Sequence, residues 1–272
     1  MLERYKDEIA TQAASLTALP MMYPFFAKSV YQRHQILVSK NPGNLSHSTF
    51  FSNPRNYYRG ITSNLIMQPL FPYSEWLLNI LLTRIEKMQK RHPSLTEKVI
   101  SAFFTGATTI ALANPYEVNL IASQKHSISP YQAFKKILHE HGPKGFYTGA
   151  IPMAIRNGCF MSGLFVTSPE LKKLMRQYIE NNKTATVAAC SIQATLYTTV
   201  AIPLEIAFVM RQSDPSKKLF SSSLHALKLA YMKHGFSAFK TGALMRLFAN
   251  TIEIAGFNLS LDEYKGALKN KC

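Results

Sequence analysis

Three times, about ninety residues apart, the chain sets a proline inside an apolar stretch and follows it, about 35 residues on, with a glycine two places after an aromatic or basic residue. The second and third copies are plainest. Pro115-Tyr116-Glu117 runs on to Gln124, and Pro203-Leu204-Glu205 runs on to Gln212; the matching glycines are Gly149 and Gly242. A worn first copy keeps Pro24 and Tyr58-Arg59-Gly60. Two series sharing one period identify a repeat architecture, in which each unit buries its apolar face only against its neighbours. The 272 residues therefore read as one body over 1–272, with repeats over about 8–88, 95–180 and 183–269.

Charge and hydropathy narrow the setting. Lys and Arg number 31 against 15 Asp and Glu, a net charge of +16, which favours polyanions, anionic lipid surfaces or small anionic ligands as partners. Hydrophobic residues make up 47%, yet no window of about eighteen is free of polar groups. A helix bundle around a wet cavity has that pattern, since polar side chains in hydrocarbon must turn toward protein or water. Cys159, Cys190 and Cys272 are odd in number and widely spaced, which argues against a disulfide framework or a zinc site. Met1–Ile9 mixes acids and bases without an apolar run, so no secretory signal peptide is expected.

Apolar segments suited to long helices run over 10–32, 61–84, 98–124, 150–176, 184–212 and 243–265, two per repeat. Short charged connections (85–97, 177–183) alternate with long ones (33–59, 125–148, 213–241). Within the long loops, 131–141 and 222–234 have helical periodicity and suit short helices lying at a membrane interface. The expected fold is all-α, with six transmembrane helices in three pseudo-symmetric pairs.

Glu117 and Gln124 are seven apart, as are Glu205 and Gln212, so each pair stacks on one helix face two turns apart. Pro24, Pro115 and Pro203 are expected to kink their helices by removing a hydrogen bond and crowding the preceding turn. Taken singly, an acid beside a kink is a solvated side chain; its recurrence in one frame suggests a gate. Glu170 with Lys173, and Asp262 with Lys265, repeat an acid-x-x-base spacing about 30 Å of helix beyond Gly149 and Gly242, one membrane thickness away. Surface i,i+3 pairs look the same locally. Between these ends lies Arg156, followed by Asn157. An arginine two turns into a span is costly unless it faces a cavity or a partner, and its guanidinium suits carboxylate or phosphate. The equivalent places in the other copies hold Met67 with Gln68, and Ala249 with Asn250; Arg246 and Asn64 share a frame one turn earlier.

These residues resemble the mitochondrial carrier family, whose repeated signature is Pro-x-[Asp/Glu]-x-x-[Lys/Arg] followed after a loop by [Asp/Glu]-Gly-x4-aromatic-[Lys/Arg]-Gly. The resemblance implies a six-helix bundle with pseudo-threefold symmetry and a multi-pass position in the mitochondrial inner membrane. It places Glu117 and Glu205 at the matrix-side gate, with Gln124 and Gln212 bracing it, and Glu170, Lys173, Asp262 and Lys265 at the cytoplasmic-side gate. Met67, Arg156 with Asn157, and Ala249 with Asn250 fall at the substrate contact points, with Asn64 and Arg246 close by. Gly60, Gly149 and Gly242 correspond to helix starts that hold cardiolipin, where free N–H groups favour phosphate. A monomer without metal, cofactor or catalytic residues is implied.

The departures are specific. The base expected five residues after each proline is Ser29, Leu120 or Phe208, and the first acid is Phe26. Thr148 and Thr241 replace the base before glycine. The matrix gate is therefore expected to be weak and strict exchange relaxed. The leading functional reading is transport of a small anionic metabolite by alternating access. Within the family, Arg156-Asn157 leans toward a carboxylate or keto acid. The chain's divergence, similar to that of nucleotide carriers which intracellular bacteria deliver to host mitochondria, puts ATP or ADP ahead. A soluble, basic helical-repeat module binding nucleic acid is the alternative from another class, but the charges lie between apolar spans rather than on one face with stacking aromatics. No phosphate-binding GxxxxGK[ST] or HExxH is present, so no enzyme is expected.

Overall fold

A computed structural model describes residues 2–38, 58, 61–126, 128–213 and 221–269. The regular elements among the described residues are all helices, with no strand. Six long segments lie at the expected places. The first is α1 (Leu2–Val38); the second is α2 (Ile61–Met67) with α3 (Leu70–Gln89); the third is α4 (Leu95–Thr108) with α5 (Ile110–His126). The fourth is α7 (Ala150–Ser162), a π turn (Gly163–Thr167) and α8 (Ser168–Met175). The fifth is α9 (Asn182–Ser213) and the sixth α12 (Ala243–Lys269). Shorter helices α6 (Pro130–His141), α10 (Ser223–His234) and α11 (Ser237–Lys240) occupy the long loops. Gly60 and the stretch 39–57 lie outside the described residues.

Local chemistry sets these boundaries. Ser94 and Ser129 open α4 and α6 with capping boxes, each side chain accepting from the backbone N–H three residues on while Glu97 or Gln132 reaches back. Helix α6 stops at Gly142 (φ 63°) and α10 at Gly235 (φ 56°). From each stop the backbone makes a short turn, extends through Thr148 or Thr241, and enters the next helix at Gly149 (φ 79°) or Gly242 (φ 67°). Pro115 leaves the carbonyl of Ala111 without its helical donor, and the Tyr147 hydroxyl donates to that oxygen at 3.0 Å. Asn114 Nδ2 donates to the Phe146 carbonyl at 2.6 Å, so the turn before Gly149 is pinned beside Pro115.

The segments close a ring. Each packs on the next in chain order, and α12 packs back on α1. Ala10, Ala14 and Ala18, all buried, form a small-residue stripe on α1, and Gly256 of α12 lies against Ala18, letting the two backbones approach. The third and fourth segments meet as closely: a Cβ on Gly106 would lie 2.6 Å from the Asn157 carbonyl.

Polarity is inverted relative to a water-soluble bundle. Arg156, Glu205 and Arg246 are buried, whereas every long segment exposes large apolar side chains, among them Leu16, Leu65, Phe104, Ile151, Leu196 and Phe248. Among the described residues, one helix, Asn182–Gln212, is by itself long and apolar enough to cross a membrane. The other long segments are interrupted, at Gln68–Pro69, at Thr109 or at the π turn, or carry charged and polar residues along their length.

A charged cavity as the candidate functional site

Inside the ring lies a cavity of about 80 Å³ walled by all six segments. Two arginines dominate it. Arg156 Nη2 donates to Glu117 at 3.1 Å and its Nη1 to Glu205 at 3.3 Å. Arg246 Nη2 lies 2.5 Å from the same Glu205 carboxylate, and its guanidinium sits over the Phe26 ring, 4.6 Å from the centroid. Phe26, Glu117 and Glu205 are the residues two places after Pro24, Pro115 and Pro203. The three copies of the proline device thus converge on the same two cations. All three prolines sit inside helices.

The bases missing from the repeat frame are replaced from elsewhere in the ring. The acids are not left without cations; they are paired with arginines from the fourth and sixth segments, and Phe26 engages Arg246 through its π face. The positions five after each proline serve packing instead. Ser29 is fully buried and donates to the Gly242 carbonyl at 3.1 Å. Leu120 packs with Phe26 and Ala249, and Phe208 lies against Gly149, where a Cβ would come within 2.6 Å of the ring. A base was legible only within the repeat frame, whereas its replacement arrives from another helix: Arg156 lies 39 residues from Glu117 and 49 from Glu205 along the chain.

Of the expected contact residues, Asn64, Met67, Arg156, Asn157 and Arg246 line the cavity. Ala249 and Asn250 do not. Ala249 is buried in the core near Leu120, and Asn250 is fully buried, donating to Thr198 Oγ1 at 2.8 Å. Asn157 donates to the Gly106 carbonyl and to Thr109 Oγ1 (3.0 and 2.8 Å), clamping the fourth segment to the break between α4 and α5. Gln212 Nε2 donates to the Thr148 carbonyl at 2.9 Å, just before Gly149. The side chain of Gln124 lies outside the described residues.

Sequence reasoning placed Gln68 beside Met67 in the repeat frame without giving it a role and missed Glu253; both line the cavity. Glu253 follows Arg246 by seven residues and so shares its face of α12, a spacing that was available in the sequence. The charges of Arg246 and Arg156 both act on it. Arg156 Nε, Arg246 Nε and Gln68 Oε1 are buried without a hydrogen-bond partner.

At the far end of the ring the pairing differs from the expected frame. Glu170 and Lys173 bond each other along α8 at 2.8 Å and are exposed. Asp262 instead takes Lys172, linking the fourth and sixth segments. Lys265 reaches Asp7 of α1 at 3.1 Å and Glu75 of α3 at 4.0 Å, and Thr11 bonds Glu75. The π turn at Gly163–Thr167 alters the helical register between Arg156 and Glu170, so faces counted from Gly149 do not carry through.

Residues 91–179 match the protein family described as mitochondrial carrier protein. Mitochondrial glycine transporter B of Danio rerio is 27% identical over 176 residues, covering 61% of this chain and 60% of that protein. Nicotinamide adenine dinucleotide transporter 1, chloroplastic, of Arabidopsis thaliana is 25% identical over 173 residues, covering 58% of this chain and 55% of that protein. The chain thus matches somewhat over half the length of these relatives. Residues 91–179 thus match one unit of the mitochondrial carrier family, and the chain is similar to two proteins named as transporters.

Proposed function

We propose that the chain is a multi-pass transporter of the mitochondrial inner membrane that moves a small metabolite with an anionic group by alternating access. The observation that carries this reading is the pair of buried arginines lining one cavity, each with an Nε–H that has no acceptor. A buried, unmet donor on a cation is costly, and a carboxylate or phosphate is the group that meets it. The outward-facing apolar side chains favour a lipid surrounding over a soluble nucleic-acid module.

The mechanism follows from the charge network. Glu117, Arg156, Glu205 and Arg246 tie the third, fourth, fifth and sixth segments together in one chain of ion pairs. An entering anion competes with the two glutamates for the guanidiniums, and each released carboxylate loosens one tie. The apolar packing around Ser29, Leu120 and Phe208 then separates, while the ties already made by Lys172 and Lys265 hold the far end together. On this reading the three repeats act as pseudo-symmetric units, Gly149 and Gly242 start helices that hold cardiolipin, and the carrier works as a monomer.

The sequence put adenine nucleotide ahead of a carboxylate. A volume of about 80 Å³ reverses that order, because pockets for drug-sized ligands begin at roughly 300 Å³. The glycine relative agrees with a small solute; the dinucleotide relative keeps a nucleotide as the second reading, one that requires the ring to widen. The test is uptake by proteoliposomes holding the purified chain, offered labelled glycine, succinate, phosphate, ADP, ATP and NAD. Uptake of a small solute is expected; no uptake of any of the six rejects the transporter reading.

A further inference from the structure

At the far end of the ring a second, larger cavity of about 570 Å³ opens between α1 and α3. Thr11 bonds Glu75, and outward from that contact the walls are α1 back through Asp7 and α3 onward to Lys87. Its lining is sorted by charge. Asp7, Glu8 and Glu75 stand at the inner end, where Lys265 reaches both Asp7 and Glu75. Arg84 and Lys87 stand at the outer end; both are exposed, and neither makes an ion pair with a described residue. Between the two ends lies Trp76, 38% exposed, with Ile80 one turn on. Trp76, Ile80 and Arg84 follow one another at four-residue steps and so form a single row along α3.

This order selects a ligand. A simple anion is served only at the outer end and is repelled over the rest. A lipid with its headgroup on Arg84 and Lys87 would lay hydrocarbon against carboxylates, which lose hydration for nothing in return. What suits the whole groove has an anionic group at one end, a flat ring in the middle and hydrogen-bond donors at the other. Phosphate suits Arg84 and Lys87. A nucleobase stacks on an indole, and its exocyclic amino group donates to a carboxylate. We propose that this cavity is a nucleotide site, taking a nucleoside di- or triphosphate with its base on Trp76, the amino edge toward Asp7 and Glu8, and the phosphates on Arg84 and Lys87. Eight residues separate Trp76 from Arg84, about 12 Å of helix, which matches the reach from base to outer phosphates in an extended nucleotide. The volume falls within the roughly 300–1,000 Å³ of small-molecule sites. The site lies apart from the central cavity and does not rest on the transporter reading.

Trp76 is the single tryptophan of the chain, so tryptophan emission reports this cavity. The purified full chain in detergent is titrated with ADP, adenosine, pyrophosphate or phosphatidylglycerol micelles. ADP is expected to quench the emission saturably, and adenosine and pyrophosphate to bind more than tenfold more weakly, each lacking one half of the contacts. Arg84→Ala/Lys87→Ala, at exposed positions, should keep the fold and weaken ADP more than tenfold. Binding of radiolabelled ADP by equilibrium dialysis covers the variants that lose the signal: Trp76→Phe should retain it, and Trp76→Ala should weaken it. No quenching by ADP, or an ADP affinity unchanged in Arg84→Ala/Lys87→Ala, overturns the proposal. Pyrophosphate as effective as ADP overturns it by making the outer end a simple anion patch, and micelles that act as well as ADP do so by making it a lipid headgroup site. Uptake by proteoliposomes decides the transporter reading separately: a chain that moves no solute but is quenched by ADP as described keeps the nucleotide site and loses the transport function.

Discussion

The ring of Phe26 lies beneath the guanidinium of Arg246, its centroid 4.6 Å from Cζ. At this position the other two copies of the motif carry Glu117 and Glu205, so an aromatic face stands where an acid would be. A cation over a buried aromatic contributes about 0.5–2 kcal/mol. We predict that Phe26→Leu lowers stability by about 1–3 kcal/mol, from the lost cation–π contact and lost packing. Phe26→Glu should restore a third acid, hold Arg246 more tightly and slow uptake. Faster uptake by Phe26→Glu would contradict the competition mechanism.

Arg156 pairs with both Glu117 and Glu205, and Arg246 also holds Glu205. Removing it leaves a buried carboxylate exposed to apolar surroundings, a loss of about 3–5 kcal/mol. Arg156→Ala should therefore unfold at markedly lower temperature as well as lose uptake. The double variant Arg156→Ala/Glu117→Ala should regain much of the stability and none of the transport. Additive losses in a double-mutant cycle would mean the two side chains do not interact.

Restoring the family's base at Phe208 should not repair a gate. Phe208 is buried against Gly149, and the nearby acid, Glu205, is already held by two arginines. Phe208→Lys is expected to cost about 3–5 kcal/mol as an uncompensated buried charge. A variant as stable as the parent, measured by thermal unfolding in detergent, would show that the site is wetter than its packing implies.

Gly149 and Gly142 separate two causes of glycine's necessity. Both have positive φ, but Gly142 faces open space, while a Cβ on Gly149 meets the Phe208 ring at 2.6 Å. Gly142→Ala should lose only the conformational strain, about 1–3 kcal/mol. Gly149→Ala should lose that and a clash besides, and Phe208→Ala in the same chain should relieve the difference. Equal losses at the two glycines would sink this account.

Glu97, at the exposed start of α4, has its carboxyl held down to about 2 from an ordinary 4.5, first by the Arg91 guanidinium and then by the Ser94 backbone N–H. A depressed carboxylate contributes stability above its unfolded value, and that contribution disappears as pH falls through the folded one. Thermal stability of the wild type should therefore decline between pH 4.5 and about 2 by more than that of Glu97→Gln, which has nothing to protonate there. Parallel declines over that window would remove the capping carboxylate from the cause.

The places of the helices were legible along the chain because they follow from local rules. Apolar stretches and the recurring glycines at 149 and 242 need only neighbours to act, and the loop helices at 131–141 and 222–234 were readable from periodicity alone. Arg156 could be singled out for the same reason, as a cation too expensive to leave in an apolar span.

What the chain order could not carry was partnership. Arg156 with Glu205, Arg246 with Phe26, and Lys172 in place of Lys173 opposite Asp262 are meetings between helices, decided by how the ring closes and by the π turn that shifts register within the fourth segment. Charge in a low-dielectric interior is settled by distance in space, and one turn of helix is enough to exchange one partner for another. The sequence by itself determined which residues had to find company inside; only the tertiary structure decided which residue would provide it.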